Sequence, residues 1–187
     1  MNTTLRKKYL ILAAACLVVI TGVMYYYFFS SFSNKHTTTI IYLDSDDTID
    51  SVYTKISHVA TRHGMSAFTT LTRHSKYAQN IRTGRYAIKP GEGALKVFRH
   101  LKNGQQEPVR VTVPSVRTLN KLAAELSKKL MADSTDILRR LTNQTTCQKY
   151  GYDTATIACM FIPNTYDVYW NISTSALLDR MHKESQN

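Results

Sequence analysis

Acid is scarce in this chain of 187 residues: 13 Asp and Glu stand against 24 Lys and Arg, for a formal net charge of +11. Only four of the acids are glutamates, and each has an ordinary setting. Glu92 lies in a Pro-Gly-Glu-Gly turn, Glu107 follows a polar loop, Glu125 falls on the polar face of an amphipathic stretch, and Glu184 is three residues from Asn187. Cysteine is equally sparse. Cys16 sits in an apolar run, which leaves Cys147 and Cys159, with 11 residues between them, either as a disulfide or as two thiols. The six histidines form no H-E-x-x-H pattern and have no cysteine partner at zinc-finger spacing, so no metal or other cofactor is expected. Between Lys35 and Lys183 no run of basic residues exceeds two, which describes a solvated surface and not a nucleic-acid footprint. There is no internal repeat and no low-complexity tract, and the 43% hydrophobic content suffices for one or two small globular domains.

Charge is also missing from Tyr9 to Phe29. As a helix these 21 residues extend roughly 31 Å, enough to cross a bilayer core of about 30 Å. The competing reading is a cleaved signal peptide, but no small-x-small site follows the run, which closes on Tyr25-Tyr26-Tyr27-Phe28-Phe29. The segment therefore reads as an uncleaved anchor with an aromatic belt at its outer end. Arg6, Lys7 and Lys8 precede it, so the positive-inside rule puts residues 1–8 in the cytoplasm and everything after about Ser30 outside. Removing those three leaves 21 basic against 13 acidic residues, or +8, on the exported part. A basic surface beside a membrane favours anionic headgroups or an anionic wall polymer.

Beyond a polar linker at 30–36, Thr37 to Leu43 reads as a strand, and Ser45, Asp46 and Asp47 offer caps for a helix. Ile49, Val52, Tyr53, Ile56 and Ala60 recur at helical spacing on that helix, which is expected to end near Gly64. A second helix is predicted over 66–77, a strand over 84–88, a turn at Pro90-Gly91, and a helix over 93–103 closed by Gly104. Pro108 to Pro114 is extended. Thr118 caps a helix with the face Leu119, Leu122, Ala123, Leu126 and Leu130, and a further helix follows over about 133–141. Ser173 or Thr174 caps a last helix, to about Glu184, with the stripe Ala176, Leu177, Leu178 and Met181.

The densest chemistry lies in Phe161-Ile162-Pro163-Asn164-Thr165-Tyr166-Asp167-Val168-Tyr169-Trp170, with four aromatic rings and three small polar groups in ten residues. Aromatic faces stack on sugar rings while Asn, Thr and Asp fix orientation, which makes Asn164, Tyr166, Tyr169 and Trp170 the candidate substrate contacts. Tyr166, Val168 and Trp170 also alternate with Asp167 and Tyr169, as in a half-buried strand after a turn. Both readings stand on composition.

Three segments, in order, carry a family resemblance: Gly84-Arg85-Tyr86-Ala87-Ile88-Lys89-Pro90-Gly91 with the helix ending Leu101-Lys102-Asn103-Gly104; Val111-Thr112-Val113-Pro114 leading into Arg117-Thr118-Leu119 and Leu122-Ala123; and Phe161-Ile162-Pro163-Asn164-Thr165-Tyr166. With one N-terminal span they resemble the front portion of the MltG-type (YceG-like) endolytic murein transglycosylases. The resemblance implies an α+β protein: a transmembrane helix (9–29), a LysM-like small domain (37–108) and the beginning of an α/β catalytic domain (109–187). It implies a single-pass protein of the bacterial inner membrane that cleaves nascent peptidoglycan strands between MurNAc and GlcNAc, leaves 1,6-anhydro-MurNAc ends and terminates elongation. Peptidoglycan synthases or division proteins would be its partners, beside the membrane and the glycan.

The family's catalytic glutamate lies several tens of residues after the Pro-Asn-Thr-Tyr element, in an Ala-Ser-x-x-Glu-x-Glu type segment that this sequence lacks. No catalytic residue is therefore carried over. The expectation is an incomplete catalytic domain, inactive as it stands, whose last helix needs a partner outside the chain and whose C-terminal region is only partly ordered. The alternative is a membrane-anchored, non-catalytic peptidoglycan-binding or scaffold protein, with a scaffold unrelated to glycan as a third reading.

Overall fold

The computed structural model describes residues 3–186, so Met1 and Asn2 of the expected cytoplasmic stub lie outside the described residues. It is mixed helix and sheet and divides into two compact units. One takes in the chain up to Arg82 together with Tyr86–Gln105; the other takes in Thr83–Arg85 and the chain from Gln106 onward.

The first unit opens with helix α1 (Thr3–Phe29). Lys7–Phe29 is long and apolar enough to cross a membrane, and it is apolar all round, with Leu10, Ile11 and Val18 about two-thirds exposed. Its last turn behaves differently. The Tyr27 hydroxyl lies 2.9 Å from Ser66 Oγ on α3 (Arg62–His74). The His63 ring stands 5.3 Å from Tyr26 and 5.0 Å from Tyr27.

The expected linker at 30–36 is corrected here. Phe32 is fully buried and Ser33 is 6% exposed. The Phe32 N–H donates to the Glu92 carbonyl at 2.7 Å, and its carbonyl accepts from the Thr61 N–H at 2.8 Å. Two glycines admit this backbone. A Cβ on Gly64 would stand 2.7 Å from the Phe32 carbonyl oxygen, and one on Gly93 would stand 2.9 Å from that of Phe28. Helix and unit are thus joined by backbone packed on backbone, with no slack between them.

The remaining elements of this unit are β1 (Thr39–Leu43), α2 (Ile49–Ser57), β2 (Gly84–Ile88), whose first two residues belong to the other unit, and α4 (Ala94–Asn103), with β1 and β2 forming a two-stranded sheet. The α2 cap is Thr48, not the Ser45–Asp47 triplet. Asp47 instead accepts from the Asp44 N–H at 2.6 Å and pairs with Lys55 at 2.5 Å. Burial pushes its carboxyl up, but the Lys55 ammonium, the Ser51 hydroxyl and the Asp44 N–H outweigh this and hold it below the usual carboxylate range. The helix expected to reach Gly64 stops at Ser57, because Thr61 accepts from the Gly64 N–H and starts α3 there. Gly104 closes α4 at φ 69°, as its position in the sequence indicates.

The core of this unit is aromatic. Phe68 makes edge-on contacts with Phe32, Tyr53, Tyr77 and Phe98, at centroid separations of 6.1–6.5 Å. Burial pushes the Tyr86 phenol up to about 12, and its hydroxyl donates to the Arg82 carbonyl.

In the second unit β3 (Val109–Val113) and β4 (Asn164–Val168) pair antiparallel, with Val111 opposite Tyr166. Around them lie α5 (Leu119–Ser127), α6 (Ser134–Leu141), α7 (Gln144–Lys149) and α8 (Thr174–Ser185), capped by Thr118, Asp133, Asn143 and Ser173. The stripe of α8 finds its partner inside the chain, contrary to expectation: Leu177, Leu178 and Met181 are each 1% exposed in one cluster with Val111, Leu126 and Ile137. Thr174 Oγ1, itself buried, donates to Asp136 Oδ2 at 2.6 Å and ties α8 to α6. The Thr174 hydroxyl, then the Arg139 guanidinium, hold the Asp136 carboxyl below the carboxylate range.

A Cβ at Gly64 has no room without moving the Phe32 backbone. Gly64→Ala is therefore expected to open residues 30–36 to limited proteolysis, while the wild-type segment resists cleavage. Leu178→Ala should destabilise the second unit by about 2–5 kcal/mol, measured by chemical denaturation. Asp136 has a folded pKa below its unfolded value, so its contribution is fully present above about pH 4 and is lost as pH falls through the folded value. Thermal unfolding followed into acid should show the midpoint falling less steeply in Asp136→Asn than in the wild type.

Candidate functional site

The aromatic segment begins on a 3-10 turn, Ile157–Met160, after which Phe161 turns into the core and Pro163 brings the chain into β4. The Tyr166 hydroxyl reaches back to donate to the Ile162 carbonyl at 2.9 Å, clamping the corner. Asn164 Oδ1 accepts from the Thr165 N–H at 2.7 Å. At the far end the Ile172 N–H donates to the Tyr169 carbonyl, the Trp170 carbonyl accepts from the Met131 N–H, and Asn171 Nδ2 donates to both oxygens of Thr83.

This pattern makes the segment a half-buried strand whose two faces do different work. Inward, Tyr166 and Val168 are each 6% exposed and lie opposite Val111 and Val109. Burial, with the Glu184 carboxylate nearby, raises the Tyr166 phenol above its ordinary value. Outward stands a polar row: Thr112 and Thr165 share a hydrogen bond at 3.0 Å, and Arg110 pairs with Asp167 at 3.7 Å. Tyr169, 55% exposed, continues the segment past that row.

The four candidate contacts are not brought into one cleft. Asn164 and Tyr169 stand at opposite ends of the strand, roughly 17 Å apart at about 3.3 Å per residue. Trp170 is half-buried. Tyr166 is withdrawn as a contact, since its ring belongs to the core and its hydroxyl is committed to Ile162. The strand instead has a cavity at either end. One, of about 300 Å³, is walled by Pro114, Val116, Cys159, Ile162 and Pro163. The other, of about 380 Å³, is walled by Pro108, Asp167, Tyr169, Ile172 and Arg180. The second has the makings of a sugar site: an exposed tyrosine ring beside a carboxylate and a guanidinium. Arg110, Thr112 and Arg180 were missed by the sequence reading. The alternation Val-Arg-Val-Thr-Val over 109–113 carried the signal for the first two.

None of the four glutamates lines either cavity. Glu92 is buried and pairs with Lys96 at 3.0 Å, Glu125 with Lys128 at 2.7 Å, and Glu184 with Arg180 at 2.8 Å. Glu107 is half-buried, and its N–H donates to the Arg85 carbonyl. Cys147 and Cys159 stand as separate thiols: Cys147 is buried and donates to the Leu141 carbonyl at 3.3 Å, while Cys159 is exposed. Burial raises the Cys147 thiol above its ordinary value, leaving it unreactive. Among the described residues no group of His, Cys, Asp and Glu could hold a metal.

The family model of the YceG-like proteins matches residues 41–187, and the chain belongs to that family. No curated protein matches it. Among solved structures it is similar to a YceG-like protein from Listeria monocytogenes, at 14% identity and a TM-score of 0.38, over 81% of this chain and 55% of that one. The chain therefore spans about half the length of that relative.

The two faces of β4 make opposite demands on substitution. Tyr166→Ala is expected to cost about 3–5 kcal/mol in chemical denaturation, while Tyr169→Ala should stay within about 0.5 kcal/mol of the wild type.

Proposed function

We propose that the chain serves peptidoglycan lytic transglycosylation at the outer face of a bacterial inner membrane. In this reading α1 is a single-pass anchor with its N-terminus in the cytoplasm. Residues 37–108 act as a LysM-like module beside the membrane, and the second unit belongs to a transglycosylase domain that meets the glycan. Membership of the YceG-like family supports the substrate class. The observation that carries the contact itself is the outer face of β3 and β4, where Thr112, Thr165 and the Arg110–Asp167 pair lead to the exposed ring of Tyr169. Asn164 remains a contact at the other end of the strand and Trp170 a partial one. Peptidoglycan synthases or division proteins are the partners this placement suits.

Lytic transglycosylation needs one carboxyl group. As an acid it protonates the glycosidic oxygen. As a carboxylate it then helps remove the proton from the C6 hydroxyl of the muramic residue, which attacks C1 and closes the 1,6-anhydro ring. A partly apolar cleft must raise that carboxyl's pKa. Glu92, Glu125 and Glu184 are each paired with a cation and none of them lines a cavity beside β4, and no acid is assigned among the described residues. A second reading, carried by the polar outer face alone, is that this face binds glycan without cleaving it.

The test is to incubate the full chain in detergent with uncrosslinked nascent strands, measure retention, and search the products by mass spectrometry for 1,6-anhydro ends. Retention should fall about tenfold in Tyr169→Ala, a loss of about 1.4 kcal/mol. Anhydro ends support the enzyme, retention without them supports binding alone, and retention unchanged in both Tyr169→Ala and Asn164→Ala would overturn the face as the glycan contact.

A further inference from the structure

The acids of the first unit are segregated. Asp44, Asp46, Asp47 and Asp50 are gathered where β1 passes into α2, and two of them pair with Lys55. From residue 51 to 105 the one acid is Glu92, which is 6% exposed. The end of α1 meets the opposite sign. Phe29 shares a cavity of about 420 Å³ with Pro90, Glu92, Lys96 and Arg99. Lys35, with Ser31 and Ser33, lines a second cavity reached from the same Pro90-Gly91 turn. Arg62 opens α3, whose next residue, His63, packs on Tyr26 and Tyr27. Glu92 neutralises Lys96 alone, and among the described residues Arg62 and Arg99 have no acidic partner.

We propose that this collar, formed by Lys35, Arg62 and Arg99 around the exit of α1, binds the headgroups of anionic phospholipids in the membrane that α1 enters. The proposal rests on the reading of α1 as an anchor. Tyr25 and Tyr26, each 66% exposed, then mark the interfacial level. The contacts of Tyr27 with Ser66, and of the Phe28 and Phe32 backbone with Gly93 and Gly64, fix α3 and α4 immediately outside it. That holds the collar beside the interfacial level, where attraction to anionic lipid phosphates acts within a Debye length of about 8 Å. The guanidinium of Arg99 can take two phosphate oxygens at once. A second, short-range reason is the missing slack: the unit cannot drift from the surface, so its cations stay where each gains about fivefold in attraction to an anionic leaflet.

The experiment uses the full chain in lipid nanodiscs, either of phosphatidylcholine alone or with about a third of phosphatidylglycerol, and follows hydrogen exchange over residues 61–66 and 89–99. The expected result is co-purification with both discs and exchange in both segments slowed about threefold or more by the anionic lipid, reversed by high salt. Arg62→Gln with Arg99→Gln, which leaves the Glu92–Lys96 pair intact, should abolish the slowing. Equal exchange in the two lipids, or slowing that survives in the double variant, overturns the collar while leaving the anchor in place. Failure to associate with either disc removes the anchor, and the collar with it.

Discussion

The chain between Phe28 and Phe32 lies backbone against backbone on Gly64 and Gly93, and the first unit depends on that contact. It brings Phe32 into the core beside Phe68, places the Phe32 N–H on the Glu92 carbonyl, and sets the first turns of α3 and α4 against the end of the apolar helix. Two missing side chains make the approach possible. A loose connection would have left the helix and the unit as separate bodies; this one makes the last turn of α1 a structural part of the unit.

The second unit is organised by the alternation of β3 and β4. With one face of so small a sheet given to Val111, Val113, Tyr166 and Val168, the other face is free of packing duty and carries only polar pairs. The same register that buries Tyr166 turns Asp167 outward, so core and candidate site are two readings of one strand. The helices close over the inner face, and α8 completes the cluster with Leu177, Leu178 and Met181.

Much of this was legible from local signals. The strand at Gly84–Ile88, the α4 cap at Gly104, and the helix starts at Thr118 and Ser173 follow from side chains acting on their own neighbours. What escaped was decided by distant partners. Thr48 caps α2 because Asp47 is engaged by Lys55 and Asp44. The segment from Ser30 to His36 looks like a linker, yet it holds Phe32, whose burial depends on two glycines far along the sequence. Helix α7 was missed because six residues with little apolar content give no periodic signal, although Asn143 caps it. The aromatic segment was ambiguous for the same reason. Composition cannot separate Tyr166 from Tyr169, whereas the strand's register assigns one ring to the core and the other to solvent.

A rod fixed at its end transmits angle as well as position. Were α1 to change its tilt to match a thicker or thinner bilayer, the first unit would rotate with it, because no hinge intervenes between Tyr26 and Phe32. The thickness of any bilayer that α1 crosses would then set which side of that unit is turned outward, a mechanical consequence of the hingeless junction that the unit's own side-chain chemistry does not determine.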